Sequence, residues 1–224
     1  MPRTPIELNY HILGQHYPLP LDSNAGVCKT RDAILLCATL LFAQKGYDGV
    51  SVGELARHIG IKPASLYNHF QSKEDLWKAV VLHTEQMYNL YFDLLNAELC
   101  QTENFAQALE IIFREPKLME NHFTCFAFNL ILSEQLRDES AWEVMSGVFL
   151  EKSIRILVAG FDRCIQHGSV RPFHTRPIAI LILNTVLNAV CMEAQRLMGR
   201  QTPYDPMTLM SDLQTALTQL LIGE

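Results

Sequence analysis

Hydrogen-bonding side chains crowd one short stretch of this chain, residues 60–70, which reads GIKPASLYNHF. Its donors and acceptors are of the kinds that bind phosphate oxygens or contact the edges of bases in a DNA groove. They belong to Lys62, Ser65, Tyr67, Asn68 and His69. Within SLYNHF only Leu66 and Phe70 suit a hydrophobic core. The polar residues therefore point to a partner outside the protein.

Two short helices and a turn, over residues 51–70, would position these side chains. Ser51 followed by Glu54 predicts a capping box at the start of the first helix. Ala56 is small enough for a close helix crossing, and Gly60 tolerates the left-handed backbone of the turn. Pro63 suits the first turn of the second helix. The space between the helices and the one before them is expected to be filled by Leu55, Ile59, Ile61 and Leu66. The outer face of the second helix is then polar, as a major-groove helix requires.

Apolar residues at three- and four-residue spacing run along most of the chain and predict an all-α fold. Around the two short helices, one helix is expected after Thr30 and a long one from Ser72 toward Leu99. Further helices are expected at 103–114, 121–137, 141–167, 176–198 and 206–222. Residues 1–28 are expected to form an extended or disordered N-terminal arm, 29–75 the helix-turn-helix domain, and 76–224 a larger helical ligand-binding and dimerisation domain.

The run 33–81 resembles the DNA-binding domain of the TetR family of bacterial transcriptional repressors. LFAQKGYDGVSV, LARHIGI, SLYNHF and SKEDLW match that family in order and spacing. The resemblance implies an all-α homodimer with three N-terminal DNA-binding helices, a connecting fourth helix and a larger domain that binds a small molecule. It also implies a pseudo-palindromic operator that is released when the small molecule binds. Residues 82–224 match only in their helical plan.

The resemblance also assigns site residues. Ser51 and Lys73 would contact phosphates near helix starts, and Tyr67 and His69 would contact phosphates from the recognition helix. The positions nearest the base edges are Lys62, Ala64, Ser65 and Asn68. Many members have Ser or Thr at the position of Lys62 and Gly at that of Ala64. The operator sequence therefore cannot be transferred from a relative. For Ser51, Tyr67 and His69 the alternative is a purely structural or solvated role.

The formal net charge of −6 argues against a nucleic-acid ligand for the chain as a whole, because phosphate binding needs Lys and Arg. Its distribution changes that conclusion. Residues 1–28 carry a balance of −1, residues 29–78 of +2 and residues 79–224 of −7. The segment with the polar helix is the only net-positive one, which permits DNA binding without establishing it.

A mixture of aromatic and polar residues in 121–149 has the composition of a mostly apolar ligand pocket. The candidate ligand-binding residues are His122, Cys125, Phe126, Asn129, Trp142 and Phe149. Ordinary core packing is the alternative for each of them. The apolar helices near 177–198 and 206–222 are expected to form the dimer interface, the latter through Met207, Met210, Leu213, Leu217 and Leu220.

No metal, cofactor or catalytic residue is predicted. HFTC (122–125) and CIQH (164–167) place His and Cys three apart, a spacing that could hold a metal but also arises by chance. The chain lacks G-x-S-x-G, H-E-x-x-H and phosphate-loop motifs, so it is not expected to be an enzyme. Six scattered cysteines and no apparent leader favour a cytoplasmic protein. The 16-residue run 177–192 is expected to be too short and too polar for a membrane span. A helical adaptor and a thiol- or metal-sensing regulator remain alternatives.

Overall fold

The computed structural model describes residues 30–114 and 122–222, excluding the side chains of Thr30 and His122. The predicted arm over residues 1–28 lies outside the described residues. Across the described ranges the regular elements are helical, which confirms the all-α prediction. Predicted and observed helices agree to within three residues at nearly every end.

The first four helices are α1 (Thr30–Lys45), α2 (Val52–Ile59), α3 (Pro63–Tyr67) and α4 (Lys73–Leu99). After α5 (Phe105–Phe113) comes α6 (His122–Glu134). A continuous helical stretch then runs through α7 (Glu139–Val144), a π-helical segment (Met145–Lys152) and α8 (Ser153–Gln166). The last two helices are α9 (Thr175–Leu197) and α10 (Pro206–Leu221).

The chain divides into two compact units. In its described residues the first unit contains 30–84 and 122–142, and the second contains 85–114 and 143–222. Within the first unit α1 packs against α2 and α6, and α2 packs against α3. Ile34, Phe42, Leu55, Leu66 and Phe70 are almost completely buried there. Helix α6 therefore shares a core with the helix-turn-helix, although it follows it by more than fifty residues.

In the second unit α8 packs against α9 and α5, and α10 packs against α9 and α5. The rings of Phe105, Phe161 and Phe173 meet with centroid separations of 5.4 to 6.0 Å. In the π-helical segment, the Phe149 ring lies 4.3 Å from that of Tyr88 in an edge-on contact. The Lys152 ammonium donates to Asn89 Oδ1 at 2.8 Å and pairs with Asp93 at 2.7 Å, which ties this segment to α4.

Helix α9 is 23 residues long, close to the predicted 176–198, and it extends beyond the apolar run 177–192. By length and composition α9 could cross a membrane, although the core helix of a soluble protein passes the same test. Ile182, Leu183, Ala189 and Val190 of α9 are buried within the second unit. Leu181 is 47% exposed on another side of the helix. This combination suits a helix that lies between a core and an interface.

Candidate nucleic-acid interface

The turn between α2 and α3 has the geometry that the sequence predicts. Ala56 is fully buried at the crossing. Gly60 has φ +75°, in the left-handed region, and its N–H donates to the carbonyls of Ala56 and Arg57. The Ile61 N–H also donates to the Ala56 carbonyl, at 2.9 Å. These bonds satisfy the carbonyls at the end of α2 and turn the chain into α3.

Ser51 caps α2, since its Oγ accepts the Glu54 N–H at 3.1 Å. The Glu54 carboxylate forms an ion pair with Lys45 at the end of α1. The hydrogen bond from Lys45 is the main reason that the pKa of Glu54 lies below its ordinary value, and the backbone of Ser51 contributes to the same shift. This pairing links the end of α1 to α2, and it engages one of the cations of the net-positive segment.

Helix α3 presents the predicted polar face to solvent. Leu66 and Phe70 are buried, whereas Tyr67 is 52% exposed. The other exposed residues of this face are Lys62, Ala64, Asn68 and His69, and Ser65 is half-buried. Lys62 occupies the N-cap position of α3 without a capping hydrogen bond from its side chain.

Lys73 begins α4, as predicted, but its setting was not predicted. Its Nζ lies 4.1 Å from the centroid of the Tyr47 ring and 5.9 Å from that of Phe42. Tyr47 and Phe42 pack with Trp77 at centroid separations between 5.4 and 6.1 Å. We call these three rings the aromatic seat. A cation over ring faces is attracted by their quadrupoles, so the seat restricts the position of the ammonium group.

The helix start beside Lys73 is capped on both sides. Ser72 Oγ accepts the Asp75 N–H at 3.0 Å, and the Asp75 carboxylate accepts the Gln71 N–H at 3.0 Å. The cap that SKED predicts is thus present. Because these bonds order the backbone between α3 and α4, they fix where the Lys73 side chain begins.

Arg31 is a basic residue of this region that sequence reasoning missed. Its side chain is exposed, and its guanidinium carbon lies 4.8 Å from the centroid of the Phe70 ring. Phe70 directly follows His69, so Arg31 lies beside the end of the polar face formed by residues 62–69. A basic residue directly after Thr30, at the predicted start of α1, was the available sequence signal.

The helix-turn-helix lies in a segment that matches a known protein family. The family model described as "Bacterial regulatory proteins, tetR family" matches residues 34–80. The N-terminal domain belongs to the TetR family. The resemblance predicted from the sequence is confirmed. The matched residues run from α1 into α4 and contain both helices of the helix-turn-helix.

Curated regulators are also similar to this chain in sequence. The biofilm operon icaADBC HTH-type negative transcriptional regulator IcaR of Staphylococcus aureus (strain Newman) is 38% identical over 74 residues. The match covers 33% of this chain and 36% of that protein, so the chain spans about a third of the length of the relative it matches. The similarity covers only part of each chain.

Solved structures show a likeness of fold over most of the chain. A TetR-family regulator from Mesorhizobium loti MAFF303099 is 18% identical with a TM-score of 0.61, and the match covers 85% of this chain and 96% of that one. FadR from Bacillus subtilis, solved in complex with stearoyl-CoA, is 19% identical with a TM-score of 0.57, covering 86% and 98%. At these identities the likeness concerns the fold alone.

The predicted ligand-binding residues divide between the two units. Cys125 and Phe126 are fully buried in the first unit, where Asn129 Nδ2 donates to the Cys125 carbonyl at 2.8 Å. Trp142 of the same unit is 45% exposed, and Phe149 is buried in the second unit. The His122 side chain lies outside the described residues. The role of these residues in ligand binding stays a prediction.

The described cysteines are mostly buried. Burial raises the pKa of the Cys37 thiol to about 12, with a smaller contribution from Glu54, and raises that of Cys191 to about 11. His167 Nδ1 lies 3.2 Å from a Glu103 oxygen. Among the described residues there is no group of three or more His, Cys, Asp or Glu placed to hold a metal ion. Cys28 lies outside the described residues.

Proposed function

We propose that this protein is a cytoplasmic, ligand-responsive transcriptional repressor that binds a pseudo-palindromic operator as a homodimer. The observation that carries the proposal is the exposed polar face of α3, held by the α2–α3 crossing inside a TetR-family domain. A short helix of this kind enters the major groove, where side chains read base edges and phosphates. No catalytic step or cofactor belongs to the proposal.

Within α3 we assign Lys62, Ala64, Ser65 and Asn68 to the base edges or their flanking phosphates. Tyr67 and His69 contact phosphates, together with Ser51 and Lys73 at two helix starts. Arg31 adds a phosphate contact beside the recognition segment, because its exposed guanidinium is supported on Phe70. Arg and Lys are the residues that neutralise DNA phosphates.

We propose that residues 29–75 contact DNA. Residues 76–224 carry effector binding and dimerisation. Residues 122–142 of this larger region pack in the same compact unit as the helix-turn-helix. They can therefore influence the DNA-binding helices through a shared core.

The dimer interface is assigned to α9 and α10. Ile180 and Leu181 of α9 are exposed, as is Leu220 of α10 at 60%. Met210 and Leu217 of α10 are buried within the protomer, so the interface draws on Met207 and Leu220 instead. Apolar side chains on two adjacent helices suit a two-fold four-helix contact.

The effector is proposed to be a small molecule with a large apolar part. FadR of Bacillus subtilis, which shares the fold, is described in complex with stearoyl-CoA. In this chain the aromatic residues Tyr88, Phe92 and Phe149 are buried together in the second unit. Native mass spectrometry of the purified protein tests for a retained effector.

The proposed function is tested by selection from a pool of random duplexes, followed by sequencing of the bound fraction. We expect a two-fold symmetric motif whose half-sites are related by the dimer axis. Recovery of unenriched sequences at all salt concentrations would contradict the proposal and favour a helical adaptor.

A further inference from the structure

Two residues of the aromatic seat, Tyr47 and Trp77, are held by carboxylates. Glu134 ends α6, and Asp138 lies in the turn that follows. The Tyr47 N–H donates to Glu134 Oε1 at 3.2 Å. A hydrogen bond from the Trp77 side chain contributes to the lowered pKa of Asp138. All four residues lie in the first compact unit, so the contacts belong to one packed body.

Glu134 is a buried carboxylate, with 7% of its surface exposed. Burying a carboxylate costs free energy unless hydrogen bonds compensate for its lost hydration. If this position served packing alone, an apolar side chain would therefore be more stable than glutamate. The α1–α2 turn packs against it. Gly46 has φ +75°, and a Cβ at that position would lie 3.7 Å from Glu134 Oε1. The carboxylate thus lies directly against a turn whose backbone only glycine adopts readily.

Asp138 has a comparable setting. It accepts the Ala141 N–H at 2.9 Å and also bonds to the Ser140 hydroxyl. Burial raises the pKa of Asp138, but these hydrogen bonds and that from Trp77 outweigh it and lower the pKa overall. The carboxylate is therefore ionised at neutral pH. It accepts a hydrogen bond from the start of α7 and is also linked to Trp77 of the aromatic seat.

We propose that Glu134 and Asp138 are positioning residues that fix the aromatic seat and, through it, the Lys73 ammonium for contact with a DNA phosphate. This inference rests on the proposed function. A lysine side chain has four rotatable methylene groups, so on its own it would sample many positions before binding. A seat held on two sides removes that freedom in advance, which is how supporting residues raise the affinity of a contact.

The experiment compares wild type with Glu134→Ala on the duplex obtained by selection, measuring affinity across a salt series. Glu134→Gln keeps an oxygen that can accept the Tyr47 N–H, and Asp48→Ala removes an exposed carboxylate from the same turn. Trp77→Phe keeps an aromatic ring but removes the donor to Asp138. Circular dichroism and thermal unfolding of each variant report the folded fraction at the assay temperature.

Removing a negative charge from a DNA-binding domain ordinarily strengthens binding, because repulsion of the phosphates falls. We expect the opposite for Glu134→Ala, a loss of about three- to tenfold, as for other coupled residues of one network. The slope of log affinity against log salt should fall in magnitude by up to about 0.9, the value of one phosphate contact. Glu134→Gln should restore both quantities, Trp77→Phe should resemble Glu134→Ala, and Asp48→Ala should bind at least as tightly as wild type.

Unchanged affinity and salt slope in folded Glu134→Ala would overturn the inference. If that variant does not fold, unchanged binding by Trp77→Phe would overturn it equally. A loss of affinity with the wild-type salt slope would also overturn it, since Lys73 would still meet its phosphate. A wild type that selects no duplex would overturn the proposed function together with this inference, so the two failures are distinguishable.

Discussion

Lys73 Nζ lies 4.1 Å from the centroid of the Tyr47 ring, and so the lysine proposed to bind phosphate rests on an aromatic face before DNA is present. We predict that Lys73→Ala weakens binding about tenfold, the size of a charge-assisted hydrogen bond, on every duplex alike. The salt slope should fall by about 0.9. Fluorescence anisotropy at several salt concentrations measures both.

Lys78 provides the matched control for Lys73, because it lies on the same helix in an exposed pair with Glu74. Lys78→Ala should leave the salt slope near that of wild type. If the two variants changed the slope equally, the assignment of Lys73 would be wrong and the effect would be one of net charge.

Gly60 is expected to be intolerant of a side chain. Gly60→Ala meets no atom within 4 Å, so its cost comes only from the left-handed backbone at φ +75°. We predict a loss of about 1 to 2 kcal/mol in the free energy of unfolding. Chemical denaturation of the purified protein, followed by circular dichroism, measures the change.

The matched variant for Gly60 is Gly53→Ala, which places the same methyl group inside α2 with Ser51 Oγ 4.0 Å away as its nearest neighbour. It should stabilise the protein by about 0.5 to 1 kcal/mol, since Ala suits a helix better than Gly. Equal effects of the two substitutions would mean that the turn does not depend on a left-handed residue.

The ion pair between Lys45 and Glu54 should make stability depend on pH. The pKa of Glu54 is lowered in the folded protein, chiefly by the Lys45 hydrogen bond. Its contribution is therefore fully present above the unfolded-state value and is lost as the pH falls through the lower folded value. Thermal unfolding should show Glu54→Gln less stable than wild type at neutral pH, with the difference shrinking as the pH falls below the ordinary pKa value of 4.5.

The control for Glu54 is Glu143→Gln, an exposed carboxylate on α7. Its melting temperature should follow that of wild type across the same pH range. A difference between Glu54→Gln and wild type that grew as the pH fell would contradict the assignment.

Leu181 tests the proposed dimer interface. It is 47% exposed on α9, and Leu181→Glu should dissociate the dimer by placing a charge in an apolar contact. Sedimentation velocity should then show a monomer at concentrations where wild type is a dimer. Leu136→Glu alters a residue that is 90% exposed in the first unit and should leave the dimer intact. A dimeric Leu181→Glu would remove α9 from the interface.

Local signals in the sequence were sufficient to predict the helices and the helix-turn-helix geometry of residues 51–70. Ser51, Gly60 and Pro63 act within one or two turns of their own position, and the structure shows the cap, the left-handed turn and the helix start that they predict. The polar residues of α3 could be assigned to its outer face because Leu66 and Phe70 fix the buried side.

Contacts between residues distant in sequence were not predictable in this way. Tyr47 and Glu134 are 87 positions apart. No periodicity or motif in the sequence indicates that the Tyr47 N–H donates to the Glu134 carboxylate. Two of the α10 residues predicted for the dimer interface, Met210 and Leu217, are buried within the protomer. Helical spacing groups Met210 and Leu217 with Leu220 but does not distinguish a protomer core from a dimer surface.

Competition binding tests whether the outer face of α3 reads a DNA sequence. The affinity of wild type for the selected duplex is compared with that for a scrambled duplex of equal length at physiological salt. We predict a ratio of about 10³ or more, as for specific DNA-binding proteins. Asn68→Ala should lower this ratio, whereas Lys73→Ala should weaken both duplexes alike. Equal affinity of wild type for the two duplexes would show that α3 does not read the DNA sequence.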